Sequence, residues 1–154
     1  MIPFEELKSD LLAHYGRTIC KEARDEIEQS TNIEQAFGVL HKYLVYLGDR
    51  QIPNVEWLRK WFADNLHTLN KCGMYLDQKT ILHNPPHKSI ILYGHSEITF
   101  VLDNTEFYHI TTQDNAVANL IAREWSICHL HTKGNSRAEL LHKGENAKVK
   151  IRQL

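Results

Sequence analysis

Six segments of the chain repeat one pattern at intervals of about ten residues: GHSEITFVL (94–102), DNTEFYHITTQ (103–113), DNAVANLIAR (114–123), EWSICHLHTK (124–133), GNSRAELLHKG (134–144) and ENAKVKIRQL (145–154). Aligned from their first residues, the segments share a small third residue and an apolar fifth residue. The seventh residue is apolar in five of the six. Apolar residues at every second position are typical of strands with one buried face. The repeat therefore predicts a series of short strands with a common inward side.

The inward positions can be assigned segment by segment. The third position holds Ser96, Thr105, Ala116, Ser126, Ser136 and Ala147. The fifth holds Ile98, Phe107, Ala118, Cys128, Ala138 and Val149. The seventh holds Phe100, His109, Leu120, Leu130, Leu140 and Ile151. His109 interrupts this apolar series, which indicates either a buried imidazole with hydrogen-bond partners or a local break in register.

The direction of the pattern separates a parallel solenoid from an antiparallel meander. Hairpins would tend to mirror alternate segments, whereas here every segment runs in the same sense, so like positions stack on like. Ten residues only cross a core once. Two segments per coil predict about three coils of roughly twenty residues each. Asn104, Asn115, Asn135 and Asn146 occupy the turns, where Asn suits a left-handed bend and can hydrogen-bond to the next coil.

The first half of the chain is predicted to be helical. Apolar residues recur at three- and four-residue steps over 4–15, 19–27, 33–47 and 55–69, and Asn32 with Gln35 predicts a capping box. MYL (74–76) and SIILY (89–93) look like strands, and the Pro85–Pro86 pair between them marks a junction. We therefore expect an α+β protein with a helical subdomain over 1–83, of three or four helices, that caps a short parallel β-solenoid over 84–154.

Composition and charge limit the class of protein. The net charge is −1, with 42 % apolar and 24 % charged residues, which argues against a protein that coats nucleic acid indiscriminately. Three widely spaced cysteines without a C-x-x-C motif favour a reducing compartment. The residues after Met1 lack a secretory signal pattern, and no eighteen consecutive residues are apolar. We expect a cytoplasmic protein that does not span a membrane.

The outward positions of alternate segments predict two faces of different chemistry. One carries an apolar column, Val101, Ile121 and Leu141, which suits a buried corner or a seam for another element or a second copy of the chain. The other combines aromatic, imidazole and cationic groups that suit an anionic or aromatic partner. Trp125, which replaces the turn Asn, indicates a wider corner or an exposed contact. The predicted binding residues are Tyr108, Trp125, His129, His131, Lys150 and Arg152.

The sequence predicts no metal, cofactor or catalytic site. His129 and His131 share one strand face, but Cys128 belongs to the inward positions, so a converging set of three or four ligands is not indicated. The turns lack the paired glycines and second acid of calcium-binding repeats. Phosphate loops, H-E-x-x-H helices and G-x-S-x-G elbows are absent from the sequence.

The repeat also carries a resemblance. DNTEF, DNAVA, GNSRA and ENAKV each place Asn after Asp, Gly or Glu and before a small residue or Thr, and they follow a helical half and a Pro-rich junction. In this arrangement the chain resembles uncharacterised small proteins of gut Bacteroidetes and of their phages or mobile elements. The resemblance implies an intracellular accessory or phage-related role and supplies no catalytic residues.

These observations favour a non-enzymatic module that binds a protein partner and modulates a host or phage complex. One alternative is a nucleic-acid-binding protein, because the last two repeats carry a basic cluster. The same cluster also suits a simpler role, the protection of an exposed strand edge. It consists of Arg137, Lys143, Lys148, Lys150 and Arg152, together with Lys133, which ends the repeat before them. A second alternative is a small enzyme that uses the histidine-rich face.

Overall fold

Periodic apolar residues produce helices in the first half of the chain, as predicted. The computed structural model describes residues 1–43 and 52–154 and divides the chain into two compact units, Met1–Cys72 and Gly73–Leu154. The described helices are α1 (Phe4–Tyr15), α2 (Lys21–Gln29), α3 (Ile33–Lys42), α4 (Val55–Phe62) and α5 (Leu66–Asn70). The predicted end of the third helix, with Leu44, Leu47 and the stop at Gly48, lies outside the described residues.

Side-chain caps fix where two of these helices begin. The Asn32 carboxamide oxygen accepts a hydrogen bond from the Gln35 N–H at 2.8 Å, and the Asn54 oxygen accepts one from the Trp57 N–H at 2.9 Å. Gln35 in turn accepts from the Thr31 N–H at 2.8 Å, so both partners of the predicted capping box take part. The apolar stripe predicted as one helix after Pro53 forms two, α4 and α5, because the helix ends before Asn65.

Asp10 links the first and fourth helices of this unit. Its Oδ2 accepts hydrogen bonds from the indole N–H of Trp61 at 2.6 Å, the indole N–H of Trp57 at 2.9 Å and the Lys60 ammonium at 3.1 Å. Desolvation by burial would raise the pKa of Asp10, but these donors outweigh it and lower the pKa. The apolar core of the unit includes Leu7, Leu11, Ile27, Phe37, Leu40, Leu58, Phe62 and Leu69.

The second unit is a parallel β-solenoid, as the repeat predicts. Its strands are β1 (Met74–Leu76), β2 (Lys79–His83), β3 (Ser89–Tyr93), β4 (Glu97–Leu102), β5 (Phe107–Thr112), β6 (Val117–Ala122), β7 (Ile127–Thr132), β8 (Arg137–Lys143) and β9 (Lys148–Gln153). Sheet A has the order β1-β3-β5-β7-β9, and sheet B has the order β2-β4-β6-β8. Every neighbouring pair is parallel. Ile98 lies opposite Ala118 and Tyr108 opposite Cys128, so one coil takes two strands and twenty residues.

Small residues at the third position close the corners of the coils. The N–H groups of Ser96, Ala116, Ser126, Ser136 and Ala147 each donate to the carbonyl three residues earlier. The three serine hydroxyls donate to the same carbonyls, at 2.6–2.8 Å. All five residues are buried, so a larger side chain would displace the corner.

The first residue of four corners, rather than the residue after it, adopts the left-handed conformation. Asp114 has a φ of 57° and Glu124 a φ of 54°, while Gly94 and Gly134 have φ values of 66° and 61°. Aspartates also make the bonds between coils that were expected of Asn. Asp114 Oδ2 accepts from the Gly94 N–H at 2.9 Å, and Asp77 Oδ1 accepts from the His95 N–H at 2.8 Å.

The inward assignment is wrong in one segment, 103–113. Strands β4, β5, β6, β7 and β8 begin exactly ten residues apart, which requires Asn104 rather than Asp103 in the first position. Tyr108 and Ile110 are therefore buried in the core, and Phe107 and His109 point outward. The break in register, one of the two explanations considered for His109, is the correct one. The Asp-Asn pair at 103–104 misled the alignment because it matches the pair at 114–115.

Two further predictions need correction. The solenoid has about four coils rather than three, because β1 and β2 precede the Pro85–Pro86 pair; the units divide between Cys72 and Gly73 instead of at 83 and 84. The apolar column of Val101, Ile121 and Leu141 is incomplete. The register shifts between Leu120 and Ile121, so that His142 lies opposite Ile121 and Leu141 falls out of the column.

Candidate functional site

The outer face of sheet A brings together four of the six predicted binding residues. His129 and His131 alternate with the buried Cys128 and Leu130, so both imidazoles point away from the core. On the last strand, Lys150 lies opposite His129 and Arg152 opposite His131. Their alternation with Val149 and Ile151 places both cations on the same face as the two imidazoles.

Tyr108 does not belong to this face. The side chain is fully buried in the solenoid core, and its hydroxyl donates to the Pro85 carbonyl at 3.2 Å. The same hydroxyl accepts from the Asn104 amide at 3.0 Å and lies 3.4 Å from the Lys88 ammonium. Tyr108 therefore has a structural role, because its hydroxyl holds the segment around Pro85, after β2, through a hydrogen bond.

Trp125 lies at the corner between β6 and β7, two residues before the outward-facing Ile127. Its side chain is 61 % exposed, which is unusual for the largest apolar residue and suits contact with another molecule. This exposure fits the second of the two interpretations, an exposed contact, and participation of Trp125 in binding stays a prediction.

Phe107 and His109 complete the face and were missed from the sequence. Their rings lie 4.9 Å apart between centroids, and the Phe107 ring lies 4.8 Å from that of His129. His109 lies 5.4 Å from His129 and 6.1 Å from His131. We call these four residues, Phe107, His109, His129 and His131, the histidine cluster. A strict ten-residue count along the sequence, from Gly94 through Asn104 to Asp114, is the signal that would have placed Phe107 and His109 on the outer face.

Burial and neighbouring groups lower the pKa of two imidazoles of the cluster, those of His109 and His131. Desolvation by burial lowers the pKa of His109, and the neighbouring His129 lowers it further. Desolvation also lowers the pKa of His131, with additional contributions from His109 and the positive charge of Arg152. The lowered pKa values favour the neutral forms of His109 and His131, so these two rings form an aromatic, weakly polar surface beside the positive charge of Arg152.

A row of three exposed cations borders the cluster along β9. Lys148, Lys150 and Arg152 occupy alternate positions of the strand, opposite Ile127, His129 and His131. Within residues 1–43 and 52–154, no carboxylate forms an ion pair with any of the three. Their charge is therefore available to an anionic partner.

The coil that carries this row also leaves core side chains accessible. Leu140 and Ile151 occupy inward positions in β8 and β9, yet they are 39 % and 40 % exposed. The equivalent residues of the preceding coil, Leu120 and Leu130, are completely buried. Strands β8 and β9 each pair on one side only in the described structure. We call this region the open end.

Two kinds of reactive site, an activated cysteine and a metal centre, can be compared with the described residues. Cys128 is buried in the core, where desolvation raises the pKa of its thiol to about 12, so the nucleophilic thiolate is not formed at neutral pH. In the part of the chain that the structure describes, no three His, Cys, Asp or Glu side chains converge as a metal-binding group. His83 and Asp103 form an exposed pair at 2.7 Å on the opposite sheet, where Asn84 also donates to the Asp103 carboxylate.

Comparison of the chain with models of protein families, with characterised proteins and with solved structures gave no match. Among the described helices, none combines the length and apolar character needed to cross a membrane. The geometry of the surfaces is therefore the basis for a functional proposal.

Proposed function

We propose that this protein is a protein-interaction module and that its contact surface is the histidine cluster with the β9 cations. The observation that carries the proposal is the contact of four rings on one sheet face beside three unpaired positive charges. Aromatic groups and arginine are the side chains that contribute most to binding energy at protein interfaces. A parallel sheet held by adjacent coils is rigid, so little order has to be gained on binding.

The charges of this surface define the partner's chemistry. A complementary surface would place carboxylates opposite Lys148, Lys150 and Arg152 and an apolar or aromatic group over the rings of His109 and His129. The cations occupy a single strand, and the whole chain has a net charge of −1. Nucleic acid would be expected to require a longer basic track, so an acidic protein surface fits better. A role in a host or phage complex stays a prediction from the resemblance.

Affinity capture with matched variants tests the proposal. Tagged full-length protein is incubated with native lysate of its source cells, with and without nuclease, and captured proteins are quantified by mass spectrometry. The comparison includes Lys150→Glu with Arg152→Glu on β9, and Arg137→Glu with Lys143→Glu on β8 of sheet B. Both pairs reverse two charges, but only the first lies on the proposed surface.

We expect one stoichiometric protein that survives nuclease, is lost in the β9 variant and is retained in the β8 variant. Capture that disappears with nuclease would instead support binding to nucleic acid. Equal capture by both variants would contradict the assignment of the surface.

A further inference from the structure

Within the described residues, the last strand of sheet A pairs with a neighbouring strand on one side only. The Lys148 N–H donates to the carbonyl of Ser126, just before β7, at 2.9 Å, and the Leu154 N–H donates to the carbonyl of Thr132, at the end of β7, at 2.8 Å. Backbone groups of a strand alternate in direction, so those of Val149, Ile151 and Gln153 point the opposite way. In the described structure no strand lies on that side of β9. The edge of sheet A at β9 therefore presents a row of backbone donors and acceptors with the spacing needed to pair with another strand.

The two faces beside this edge differ in chemistry. On the outer face, Lys148, Lys150 and Arg152 form the cation row. On the core side, Val149 is half-buried and Ile151 is 40 % exposed. Leu140, in the last strand of sheet B, is similarly exposed. A strand added here would meet cations with one set of alternate side chains and an apolar surface with the other.

The cation row argues against a second copy of this chain as the added strand. Two copies related by a two-fold axis would pair their β9 strands antiparallel. Pairing centred on Lys150 places Lys148 opposite Arg152 of the other copy, and pairing centred on Val149 or Ile151 also places cations opposite cations. Like charges in directly opposite positions destabilise a strand pair. The edge is therefore suited to a different chain with negative charge.

We infer that the partner adds an extended segment alongside β9, with acidic side chains alternating with apolar ones. The inference rests on the proposed function and specifies how the partner binds. Backbone hydrogen bonds to Val149, Ile151 and Gln153 provide the attachment, carboxylates face the cation row, and apolar side chains cover Ile151 and Leu140. The added strand would cover the exposed core side chains of the last coil, as each following coil does elsewhere in the solenoid.

A synthetic peptide tests the mode of binding without knowledge of the natural partner. The probe is a fluorescently labelled peptide of alternating Glu and Val, titrated with full-length protein and followed by fluorescence anisotropy. Two further peptides carry N-methyl groups, one at every Glu and the other at every Val. In an added strand only one of these two sets of N–H groups faces β9.

We expect the unmethylated peptide to bind and one of the two methylated peptides to bind about tenfold more weakly or worse, because its hydrogen bonds to β9 are lost. The other methylated peptide should bind like the parent. Equal affinities of the two methylated peptides, or no anisotropy change for the parent, would overturn strand addition. These comparisons leave the protein unaltered, so misfolding of a variant cannot explain them.

A protein variant separates this inference from the proposed function. Ile151→Pro removes a donor from the free edge and leaves the β7 hydrogen bonds in place; circular dichroism verifies the fold. Loss of partner capture with Ile151→Pro, together with its loss on reversal of Lys150 and Arg152, supports both statements. Capture that survives Ile151→Pro but not the charge reversal refutes strand addition and leaves the proposed surface intact. Capture that survives both refutes the proposed function.

Discussion

Ala118 shows how strongly a single inward position is constrained. It lies in β6, opposite Ile98 on one side and Ala138 on the other, and its side chain is completely buried. The next residue, Asn119, lies on the outer face of sheet B opposite Glu139. Ala118 thus faces the apolar core and Asn119 faces solvent, so introducing lysine should have very different effects on stability at the two positions.

Ala118→Lys should destabilise the solenoid severely, whereas Asn119→Lys should be tolerated. The first change buries an ammonium without a partner and is expected to cost about 3–5 kcal/mol or more. The second places the ammonium beside Glu139 in solvent, where effects stay within about 0.5 kcal/mol. Urea denaturation monitored by circular dichroism measures both. Similar midpoints for the two variants would be incompatible with the inward assignment.

Tyr108 and His109 show where sequence reasoning reached its limit at the level of single residues. Both alternate correctly in the pattern, but a shift of one residue exchanges the buried face with the exposed one. The turn dipeptide at 103–104 dominated the alignment, although the stacking of Tyr108 on Cys128 depends on the spacing of the strands. His129, His131, Lys150 and Arg152 were predicted on one face and lie on one face, because their segments follow the repeat without interruption up to β7 and resume it in β9.

At the level of the element, the pairing of β5 with β7 accounts for the electrostatics of the outer face. Cross-strand pairing sets His109 directly opposite His129, and Arg152 on β9 lies opposite His131. Protonation of His109 and of His131 is disfavoured by partial burial and by neighbouring groups of the face, which for His131 include the positive charge of Arg152. The pairing of β5 with β7 is therefore most stable when these two imidazoles are neutral.

We expect the stability of the solenoid to fall as the pH is lowered from about 7.5 to 5.5. The folded-state pKa values of His109 and His131 are lowered from the ordinary value of 6.5, so the unfolded chain binds protons first as the pH falls. The stability is fully present above the unfolded pKa and is lost as the pH falls through the folded values. Thermal unfolding across this range should have a smaller pH dependence in the variant with His109→Gln and His131→Gln. Parallel curves for the variant and the original protein would disprove the contribution of these imidazoles.

The way in which the strands stack was predicted correctly, whereas the number and the bounds of single helices and strands were predicted less well. The direction of the repeat was sufficient for parallel strands and two strands per coil, because only like positions can stack in a solenoid. MYL (74–76), which forms β1, was predicted as a strand, but the repeat could not show that it forms a further coil with β2, because their corner is too short to carry the turn pattern. Nor could the repeat reveal the irregularity in β8 that displaces Leu141. Similarly, the apolar stripe after Pro53 continues through Asn65, although the backbone there separates α4 from α5.

At the level of the whole molecule, the distribution of charge is more informative than its total. The chain is nearly neutral, yet the row on β9 has no ion-pair partner in the described structure. An open sheet edge exposes a protein to uncontrolled pairing, and lysine at such an edge is a common protection. On β9 the same charges repel a second copy and attract an acidic segment, so protection and partner choice are compatible.

Lys148→Glu should increase self-association of the protein. In a two-fold pairing centred on Lys150, the new carboxylate would lie opposite Arg152 of the other copy, which converts a repulsive pair into an attractive one at two places. Sedimentation velocity at about 100 µM protein should detect a dimer fraction larger than that of the original protein, decreasing at high salt. Adding Ile151→Pro, which removes an edge donor, should abolish the gain. A dimer fraction that Ile151→Pro leaves unchanged would place the self-contact elsewhere.

Strands β4, β5, β6, β7 and β8 start at ten-residue steps and belong alternately to the two sheets, so the structural repeat of the solenoid is a pair of segments. Duplication of one segment would send every later strand to the opposite sheet, so His129 and Lys150 would leave the side of the molecule that Phe107 occupies. Duplication of two segments would preserve every assignment and lengthen the core by one coil. Such a chain would present the same terminal edge about one strand spacing, ~5 Å, further from its first coil. Evolutionary change in the length of this protein should therefore proceed in steps of about twenty residues, with the proposed contact surface carried outward unchanged.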